Sequence, residues 1–248
     1  VPTEIQLKGW QAISQNIDTL IAAPTGSGKT LAAFLTCIDT LVRMGIAGDL
    51  SNRTKVVYVS PLKALSNDIQ KNLSEPLEEI GQLARQNGHF FPEIRIGLRT
   101  GDTKPSERQK MAKIPPHILI TTPESLYILL TSKSGRSGLE EVDTVIIDEI
   151  HAIAGDKRGS HLSLSIERLR ALSKQNITRI GLSATQNPIE ETARFLVGTS
   201  SIDDAGKPNC LIVEAEKTRR LDLDLHIPSM ELGPIASHEL WDETLNTI

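Results

Sequence analysis

The eight residues from Ala23 to Thr30 have the composition and spacing of a phosphate-binding loop. They are Ala23, Pro24, Thr25, Gly26, Ser27, Gly28, Lys29 and Thr30, and they separate a short apolar run from a segment of helical period. The two glycines permit positive φ, so that successive N–H groups can point at a phosphate. Lys29 supplies a positive charge for the β- and γ-phosphates, and Thr30 supplies a hydroxyl for Mg²⁺. We predict that this phosphate loop binds ATP with Mg²⁺.

Two adjacent acidic residues, Asp148 and Glu149, follow TVII, which has the pattern of a buried strand. Ligands of open α/β sheets bind at the carboxyl ends of strands. One carboxylate there can hold Mg²⁺ through water, and the next can orient and deprotonate the attacking water. We assign the metal to Asp148 and the general base to Glu149. Adjacent acids alone are more typical of a helix start, and the upstream phosphate loop favours the catalytic interpretation.

His151 completes the sequence DEIH, and GLSAT ends the next predicted strand. In a parallel sheet that strand end lies beside the DEIH box (148–151). Ser183 and Thr185 are therefore expected to hydrogen-bond His151 and the carboxylates, which would couple the phosphate state to strand position. We place His151 with Lys29, Asp148 and Glu149 among the catalytic candidates. An ordinary Ser/Thr turn is the alternative.

Short apolar runs alternate with longer segments of helical period, which predicts an α/β domain with a mostly parallel sheet and helices on both faces. The predicted strands are Thr19 to Ala22, Lys55 to Ser60, Ile94 to Thr100, His117 to Thr121, Thr144 to Asp148 and Thr178 to Ser183. The predicted helices are Glu4 to Gln15, Lys29 to Met44, Leu65 to Gln86 and Gly159 to Leu172. Loops are predicted at Gly45 to Thr54, Thr131 to Gly138 and Thr199 to Asn209.

The alternation of strands and helices stops after Cys210, which predicts one domain over residues 1–209 and a tail over 210–248. Within this tail, Leu221 to Ile227 alternates like a half-exposed strand before Pro228 interrupts it. The chain begins with Val1 and its last segment carries no capping or turn signal. We interpret both ends as cuts in a longer chain, with the tail leading to a second domain.

Composition excludes a strongly basic protein, because the formal net charge of the 248 residues is -4. Any nucleic-acid binding must therefore come from a local groove. The two cysteines lack metal-ligand spacing, which is typical of reduced thiols in the cytoplasm. No run approaches the ~20 consecutive apolar residues of a membrane span. We expect a cytoplasmic protein that does not bind membranes.

The order of APTGSGKT, SPLKALSND, RTGDT, TTPESL, DEIHA and GLSATQ resembles superfamily 2 helicases with a DExH box. The longer segments SPLKALSNDIQ, TTPESLYILL, DEIHAIAGDKRGSHLSLSIERL and RIGLSATQNP are similar to the Lhr (large helicase-related) family. This resemblance covers Pro2 to about Gly198. It implies a RecA-like P-loop NTPase domain and an adenine contact at Gln6 through the family's glutamine motif. It further implies an ATP-dependent motor that moves 3′ to 5′ on single-stranded DNA and unwinds DNA or RNA:DNA duplexes, with a second RecA-like domain.

By the same resemblance, a nucleic-acid strand lies across SPLKAL, RTGD and TTPES. Each segment follows a predicted strand, and its small or basic residues and helix-start N–H groups are suited to backbone phosphates. The candidate contacts are Ser60, Pro61, Lys63, Ser66, Arg99, Thr100, Gly101, Thr121, Thr122, Pro123 and Ser125. Such contacts accept DNA or RNA. Ordinary strand-to-helix turns capped by Ser and Thr are the alternative.

Two further functions compete with a helicase motor. One is an ATP-gated switch that binds nucleic acid without unwinding it, and the other is an ATPase of a transporter, which would have no use for the three nucleic-acid segments. Fast hydrolysis in P-loop ATPases needs a positive group at the γ-phosphate, and no arginine is placed for this role by a motif of this chain. We therefore expect the chain alone to bind ATP with Mg²⁺ and to hydrolyse it slowly.

Overall fold

A parallel sheet forms the centre of the fold. The computed structural model describes residues 2–24, 26–61, 63–215 and 241, with the backbone alone for 63–72. Within these residues the strands are β1 (Thr19–Ala22), β2 (Val56–Val59), β3 (Ile96–Arg99), β4 (Ile118–Thr121), β5 (Thr144–Ile147), β6 (Thr178–Ser183) and β7 (Leu211–Glu214). Their order is β3-β4-β2-β5-β6-β1-β7, and all pairs are parallel. Strands β1, β2, β4 and β6 are buried along their whole length, as expected for strands that are covered on both faces.

Helices cover both faces of this sheet. They are α1 (Glu4–Ser14), α2 (Lys29–Ala47), α3 (Lys63–Gln86), α4 (Pro105–Lys113), α5 (Pro123–Thr131), α6 (Lys133–Leu139), α7 (Lys157–Leu172) and α8 (Ile189–Val197). One apolar cluster joins the sheet to α1, α2 and α3 through residues such as Ile13, Phe34 and Leu73. A second cluster joins the other face to α5, α7 and α8 through residues such as Leu126 and Leu162. The predicted fold class is confirmed.

The sequence pattern does not indicate strand β7, whose four residues lie in the predicted tail. It pairs with β1, with Leu211 opposite Thr19, and of its side chains only Val213 is buried. Because this edge strand buries only one side chain, its sequence does not contain an apolar pattern long enough to indicate a strand. The first compact unit accordingly extends to Ala215. Of the second unit, residues 216–248, only Trp241 is described, so the alternating segment from 221 to 227 and Pro228 lie outside the described residues.

The predicted loop from Thr131 to Gly138 is wrong, because most of it forms α6. Ser132 caps this helix by accepting the N–H of Gly135 at 3.2 Å. A Cβ at Gly135 would lie 2.3 Å from the Leu129 carbonyl oxygen. Ser132 therefore serves a helix cap, and Gly135 permits a close approach to α5. The sequence pattern also does not predict helices α4 and α8, and it indicates only the start of α5. The predicted loop at 45–54 begins later because α2 runs to Ala47.

Helix α2 is the one helix among the described residues that is long and apolar enough to cross a membrane by length and composition. It packs Phe34, Ile38 and Leu41 into the core on one face of the sheet. One face of this helix is therefore part of the core.

Gly159 determines how closely α7 begins against the segment after β5. A Cβ at this position would lie 1.9 Å from the Ile153 carbonyl oxygen, whereas a Cβ at Gly155 would meet nothing within 4 Å. The N–H of Gly159 donates to the carboxylate of Asp156, the N-cap of α7, at 2.7 Å. The start of α7 is therefore fixed directly against the residues that follow the DEIH box.

We expect Gly159→Ala to lower the free energy of unfolding by about 2 kcal/mol or more, because overpacking costs about 1–3 kcal/mol even where side chains can yield. Gly155→Ala is the matched control and should change the free energy by less than about 0.5 kcal/mol. Denaturant unfolding of the purified chain measures both values. Equal, small effects would contradict the tight contact at Gly159.

Candidate nucleotide and nucleic-acid site

The phosphate loop connects β1 to α2 and turns at its glycines. Gly26 and Gly28 both have a φ of 80°, as their predicted role requires. At the start of the loop, Ala23 donates its N–H to the Ser183 carbonyl at 3.1 Å, which anchors the loop to the end of β6. Thr25 lies outside the described residues. The loop backbone thus leads directly into the N-terminus of α2, where N–H groups favour anions.

The side chains of the loop surround this turn. Lys29 is buried, and its Nζ donates to the Ala23 carbonyl at 3.2 Å. Thr30 is half-buried in the first turn of α2, and Pro24 is exposed. The Ser27 hydroxyl is buried and has no hydrogen-bond partner among the described residues. The ammonium group of Lys29 is therefore held at the loop itself, within reach of a group that would enter it.

Gln6 lies against the phosphate loop. It belongs to a capping box at the start of α1, where its Oε1 accepts the N–H of Thr3 at 2.9 Å. A Cβ at Gly28 would lie 2.7 Å from Gln6 Nε2, so the amide group contacts the loop backbone. The structure thus brings Gln6 to the loop, and the adenine contact implied by the resemblance stays a prediction.

Asp148 lies at the carboxyl end of β5 with its side chain only 5% exposed. Its Oδ2 accepts a short hydrogen bond from the Tyr58 hydroxyl of β2. Its Oδ1 is buried and has no hydrogen-bond partner among the described residues. The Tyr58 ring is itself fixed by stacking on Phe34 at a centroid distance of 4.9 Å. A buried carboxylate oxygen without a partner requires an explanation, and a metal ion or its bound water supplies one.

The environment of Asp148 is unfavourable to its charge. Burial raises the pKa of Asp148 from its ordinary value of 3.8; the hydrogen bond from Tyr58 opposes this rise, and the neighbouring charge of Glu149 adds to it. Burial and then the Asp148 carboxylate raise the pKa of Tyr58, so this hydroxyl remains a donor at neutral pH. A cation beside Oδ1 would relieve the cost of keeping this charge buried.

Glu149 and His151 form a contact with β6. Glu149 has φ 44° and ψ 40°, a left-handed conformation that is uncommon for a side chain of this size. His151 Nδ1 accepts the N–H of Ala184 at 3.2 Å and lies 3.4 Å from Ser183 Oγ, while its Nε2 lies 3.4 Å from Glu149 Oε2. Because Nδ1 accepts, the proton of a neutral ring is on Nε2 and faces Glu149. Thr185 is exposed and, among the described residues, makes no hydrogen bond to His151.

The hydroxyl side chains of the nucleic-acid candidates at the ends of β2 and β4 are buried. Thr121 Oγ1 donates to the Arg99 carbonyl at 2.7 Å, and Thr122 caps α5 by accepting the N–H of Ser125 at 3.4 Å. The side chains of Ser60, Thr121, Thr122 and Ser125 are all at most 4% exposed. Thr121, Thr122 and Ser125 thus serve the strand-to-helix turns through these bonds, which agrees with the alternative of ordinary capped turns. Any contact with a ligand at these turns therefore falls mainly to backbone groups.

The RTGD segment forms a tight turn after β3. The Thr100 N–H donates to Thr103 Oγ1 at 2.8 Å, and Arg99 Nη1 donates to the Thr100 carbonyl at 3.0 Å. Arg108 of α4 donates to the carbonyl oxygens of Thr103 and Gly101, each at 2.7 Å. These bonds occupy the carbonyl groups of the turn, and the Gly101 tip is exposed.

The nucleic-acid candidates occupy one edge of the sheet, because β3, β4 and β2 are neighbours and parallel. Pro61, which follows β2, is buried, and Pro123 is buried in the first turn of α5. The side chains of Lys63 and Ser66 lie outside the described residues. The turns after β2, β3 and β4 thus continue the same edge that holds Asp148 at the end of β5.

The family model for DEAD/DEAH box helicases matches residues 3–193. This chain belongs to that helicase family. Within it, the chain is 46% identical over 242 residues to "Lhr helicase/ probable uracil glycosylase" of Mycolicibacterium smegmatis, covering 98% of this chain and 15% of the relative. It is 50% identical over 226 residues to "ATP-dependent helicase Lhr-Core" of Methanothermobacter thermautotrophicus, covering 91% of this chain and 26% of the relative. The predicted membership of the Lhr helicases is confirmed.

A solved structure supports the same assignment. The structure of Mycobacterium smegmatis helicase Lhr bound to ssDNA and AMP-PNP matches with a TM-score of 0.81 and 44% identity, covering 100% of this chain and 30% of that chain. The RecA-like helicase fold is thereby confirmed. This chain spans less than a third of the length of each of these helicases.

Three contacts of this helicase domain were missed from the sequence. Tyr58 binds the metal candidate Asp148, the Ala184 N–H binds His151, and Arg108 binds the RTGD turn. A tyrosine in a strand of β-branched residues was a usable signal, because a buried tyrosine hydroxyl usually has a hydrogen-bond partner. No residue type in the sequence could indicate the Ala184 contact, because it is made by a backbone N–H group.

We expect Asp148→Asn to stabilise the nucleotide-free chain at pH 7 by about 1 kcal/mol, or roughly 2–4 °C in Tm, because a neutral amide costs less to bury than an unpaired carboxylate. The folded-state pKa of Asp148 is raised, so the native chain loses stability as pH rises from 3.8 through the raised value. The gain from Asp148→Asn should therefore shrink towards pH 4. Thermal unfolding in the presence of EDTA, at pH 7 and near pH 4, measures the difference in Tm between Asp148→Asn and the native chain. A variant that is less stable than the native chain at pH 7 would contradict the expectation.

Proposed function

We propose that this chain is the ATP-binding motor domain of an ATP-dependent helicase or translocase that moves 3′ to 5′ on single-stranded DNA. The observation that carries the proposal is the meeting of the phosphate loop, DEIH box and GLSAT segment at the carboxyl ends of β1, β5 and β6, which are consecutive in the sheet. The helicase names of its relatives support the activity. The direction of movement rests on the Lhr resemblance.

ATP would bind with its phosphates in the phosphate loop and its adenine beside Gln6. Lys29 would exchange the Ala23 carbonyl for the β- and γ-phosphates. The donor set fits Mg²⁺, because Thr30 offers a hydroxyl and Asp148 a buried oxygen without a described partner. The described residues include no group of three or more side chains suited to hold a metal ion, so most ligands would be phosphate oxygens and water. When bound, Mg²⁺ neutralises charge on the phosphates during transfer.

Glu149 would act as the general base. Its left-handed backbone conformation places the carboxylate beside His151 Nε2, and the opposite ring nitrogen accepts the Ala184 N–H. A change in the charge or position of Glu149 can thus alter the hydrogen bonding of His151 and, through it, the end of β6. We infer that Ser183 and the Ala184 amide transmit the state of the nucleotide, together with Thr185 if nucleotide binding draws this exposed side chain inward.

Single-stranded DNA or RNA would lie along the turns after β2, β3 and β4, held through its sugar–phosphate backbone. Burial of the hydroxyl side chains there favours contacts from N–H groups at helix starts and from the exposed RTGD tip. The substrates would be DNA or RNA:DNA duplexes opened by movement along one strand. A second RecA-like domain of the same protein would supply the arginine that the γ-phosphate requires.

In the full-length protein, Glu149→Gln should retain ATP binding and reduce turnover by about 10²- to 10⁴-fold, because it removes a general base. Glu190→Gln, on the exposed first turn of α8, is the matched control. ATP hydrolysis and strand displacement with single-stranded DNA, RNA and hybrids measure the outcome. Normal turnover of Glu149→Gln would refute its role as base.

The native protein tests the motor function itself. ATP hydrolysis that is stimulated by no nucleic acid would refute the motor. Hydrolysis that nucleic acid stimulates without any strand displacement would favour an ATP-gated switch.

Tyr58→Phe should raise the Mg²⁺ concentration needed for half-maximal ATP hydrolysis by about tenfold or more, the usual effect of losing a group that orients a metal ligand. The ring and its stacking on Phe34 remain, while the bond to Asp148 is lost. Tyr127→Phe, on the partly exposed face of α5, is the control. An unchanged Mg²⁺ requirement in Tyr58→Phe would show that this bond does not position Asp148.

A further inference from the structure

Arg158, the second residue of α7, connects segments that follow three neighbouring strands. Its Nε donates to Glu124 Oε1 at 2.8 Å, and its Nη2 donates to the Pro61 carbonyl at 2.9 Å. Glu124 belongs to TTPES after β4, and Pro61 belongs to SPLKAL after β2. Arg158 itself follows the DEIH box after β5. Because β4, β2 and β5 are adjacent in the sheet, one guanidinium group spans the nucleotide and nucleic-acid parts of the edge.

The backbone of Arg158 is fixed relative to the DEIH box. Its neighbour Gly159 leaves no room for a Cβ against the Ile153 carbonyl, and Asp156 caps the helix immediately before it. Ile153 is fully buried directly after the 3-10 turn Ile150–Ala152. A shift of the DEIH segment would therefore displace Arg158 with it, and so displace both of its partners.

The ion pair contributes more to geometry than to stability. The Arg158 and Glu124 side chains are 43% and 55% exposed, and pairs this exposed contribute little to folding. Partial burial alone would raise the pKa of Glu124, but the hydrogen bond and charge of Arg158 hold the pKa below its ordinary value. Glu124 therefore remains charged at neutral pH. The planar guanidinium group then holds a carboxylate and a carbonyl at fixed positions, which an ammonium group does less well.

We propose that Arg158 is a positioning residue that couples nucleic-acid binding at the turns after β2 and β4 to ATP hydrolysis at the DEIH box. This inference rests on the proposed motor function. Displacement of either turn by a bound strand is passed through Arg158 to the start of α7 and, through the contact at Gly159, to the segment that carries Glu149 and His151. Both hydrogen bonds of Arg158 are needed for this coupling, because the bond to Glu124 contacts the turn after β4 and the bond to Pro61 contacts the turn after β2.

Direct binding of a phosphate by Arg158 is the competing role, and the two roles differ in their response to Glu124. If Arg158 held a phosphate, removal of the competing carboxylate would strengthen nucleic-acid binding. Loss of Arg158 would then also reduce the slope of log affinity against log salt by about one. If Arg158 positions the turns, removal of either partner weakens stimulation, and the salt slope is unchanged.

The experiment uses the full-length protein with Arg158→Gln, Glu124→Ala and the double variant. Arg170→Gln is the matched control, because Arg170 lies on the same helix, has a similar exposure of 45% and binds Ser200 at 2.8 Å far from the turns. ATP hydrolysis is measured with and without single-stranded DNA and RNA at several salt concentrations. The readouts are the ratio of stimulated to unstimulated turnover, the nucleic-acid concentration for half-stimulation and the salt slope.

We expect Arg158→Gln and Glu124→Ala each to lower the stimulation ratio by about fivefold or more, a typical coupling between sites. The double variant should be no worse than the more severe single variant, since both remove one connection. Arg170→Gln should match the native protein. If Arg158→Gln does not fold, the stimulation ratio of Glu124→Ala alone tests the coupling.

Three results would overturn the inference. Native stimulation in Glu124→Ala would show that the pair has no coupling role. Tighter binding in Glu124→Ala, or a lower salt slope in Arg158→Gln, would assign Arg158 to direct phosphate contact. If neither DNA nor RNA stimulates the native protein, the proposed motor function fails and this inference fails with it, whereas stimulation that is equal in all variants removes this inference alone.

Discussion

The buried carboxylate of Asp148 is the feature around which the rest of the site is arranged. Keeping a charge at 5% exposure is costly. The protein offsets part of the cost with the hydrogen bond from Tyr58 and the nearby charge of Lys29, while the other carboxylate oxygen has no described hydrogen-bond partner. This arrangement is possible because β5 lies between β2 and β6 in a parallel sheet, so that both neighbours end at the same edge. The strand order therefore explains why Asp148 contacts Tyr58 of β2, which leads into a nucleic-acid candidate segment. It also explains why Asp148 lies beside β6, the neighbour of the strand that precedes the phosphate loop.

Three short connections join the DEIH box and the residues after it to neighbouring elements. Tyr58 links it to β2, His151 links the adjacent Glu149 to the end of β6, and the close contact at Gly159 fixes the start of α7 behind it. Each connection is local, and together they join the ends of β2 and β6 and the start of α7 to the DEIH box. Small displacements at such contacts can be transmitted because packed elements do not deform continuously.

The sequence predicted the parts of this fold that depend on pattern. Strands β1 and β6 begin and end where the apolar runs indicated, and the phosphate loop and DEIH box occupy the predicted strand ends. The sequence did not predict those elements and side-chain roles that depend on tertiary contacts. The Ser and Gly residues at 132 and 135 build a helix cap and a close packing contact in place of a loop, and β7 buries only Val213. The hydroxyls of Thr121 and Thr122, predicted as ligand contacts, are engaged in the turns. Side-chain partners such as Tyr58 require the register of β2 against β5, which the sequence alone does not specify.

Binding of Mn²⁺ with a non-hydrolysable ATP analogue tests the role of Asp148 most directly, because electron paramagnetic resonance counts the free and bound ion without requiring hydrolysis. For the native protein we expect one Mn²⁺ bound together with the analogue. For Asp148→Ala we expect Mn²⁺ affinity in the presence of the analogue to fall by about tenfold or more, with binding of the analogue alone little changed. Equal Mn²⁺ affinity in the two proteins would contradict the proposal that the buried oxygen at the end of β5 holds the metal.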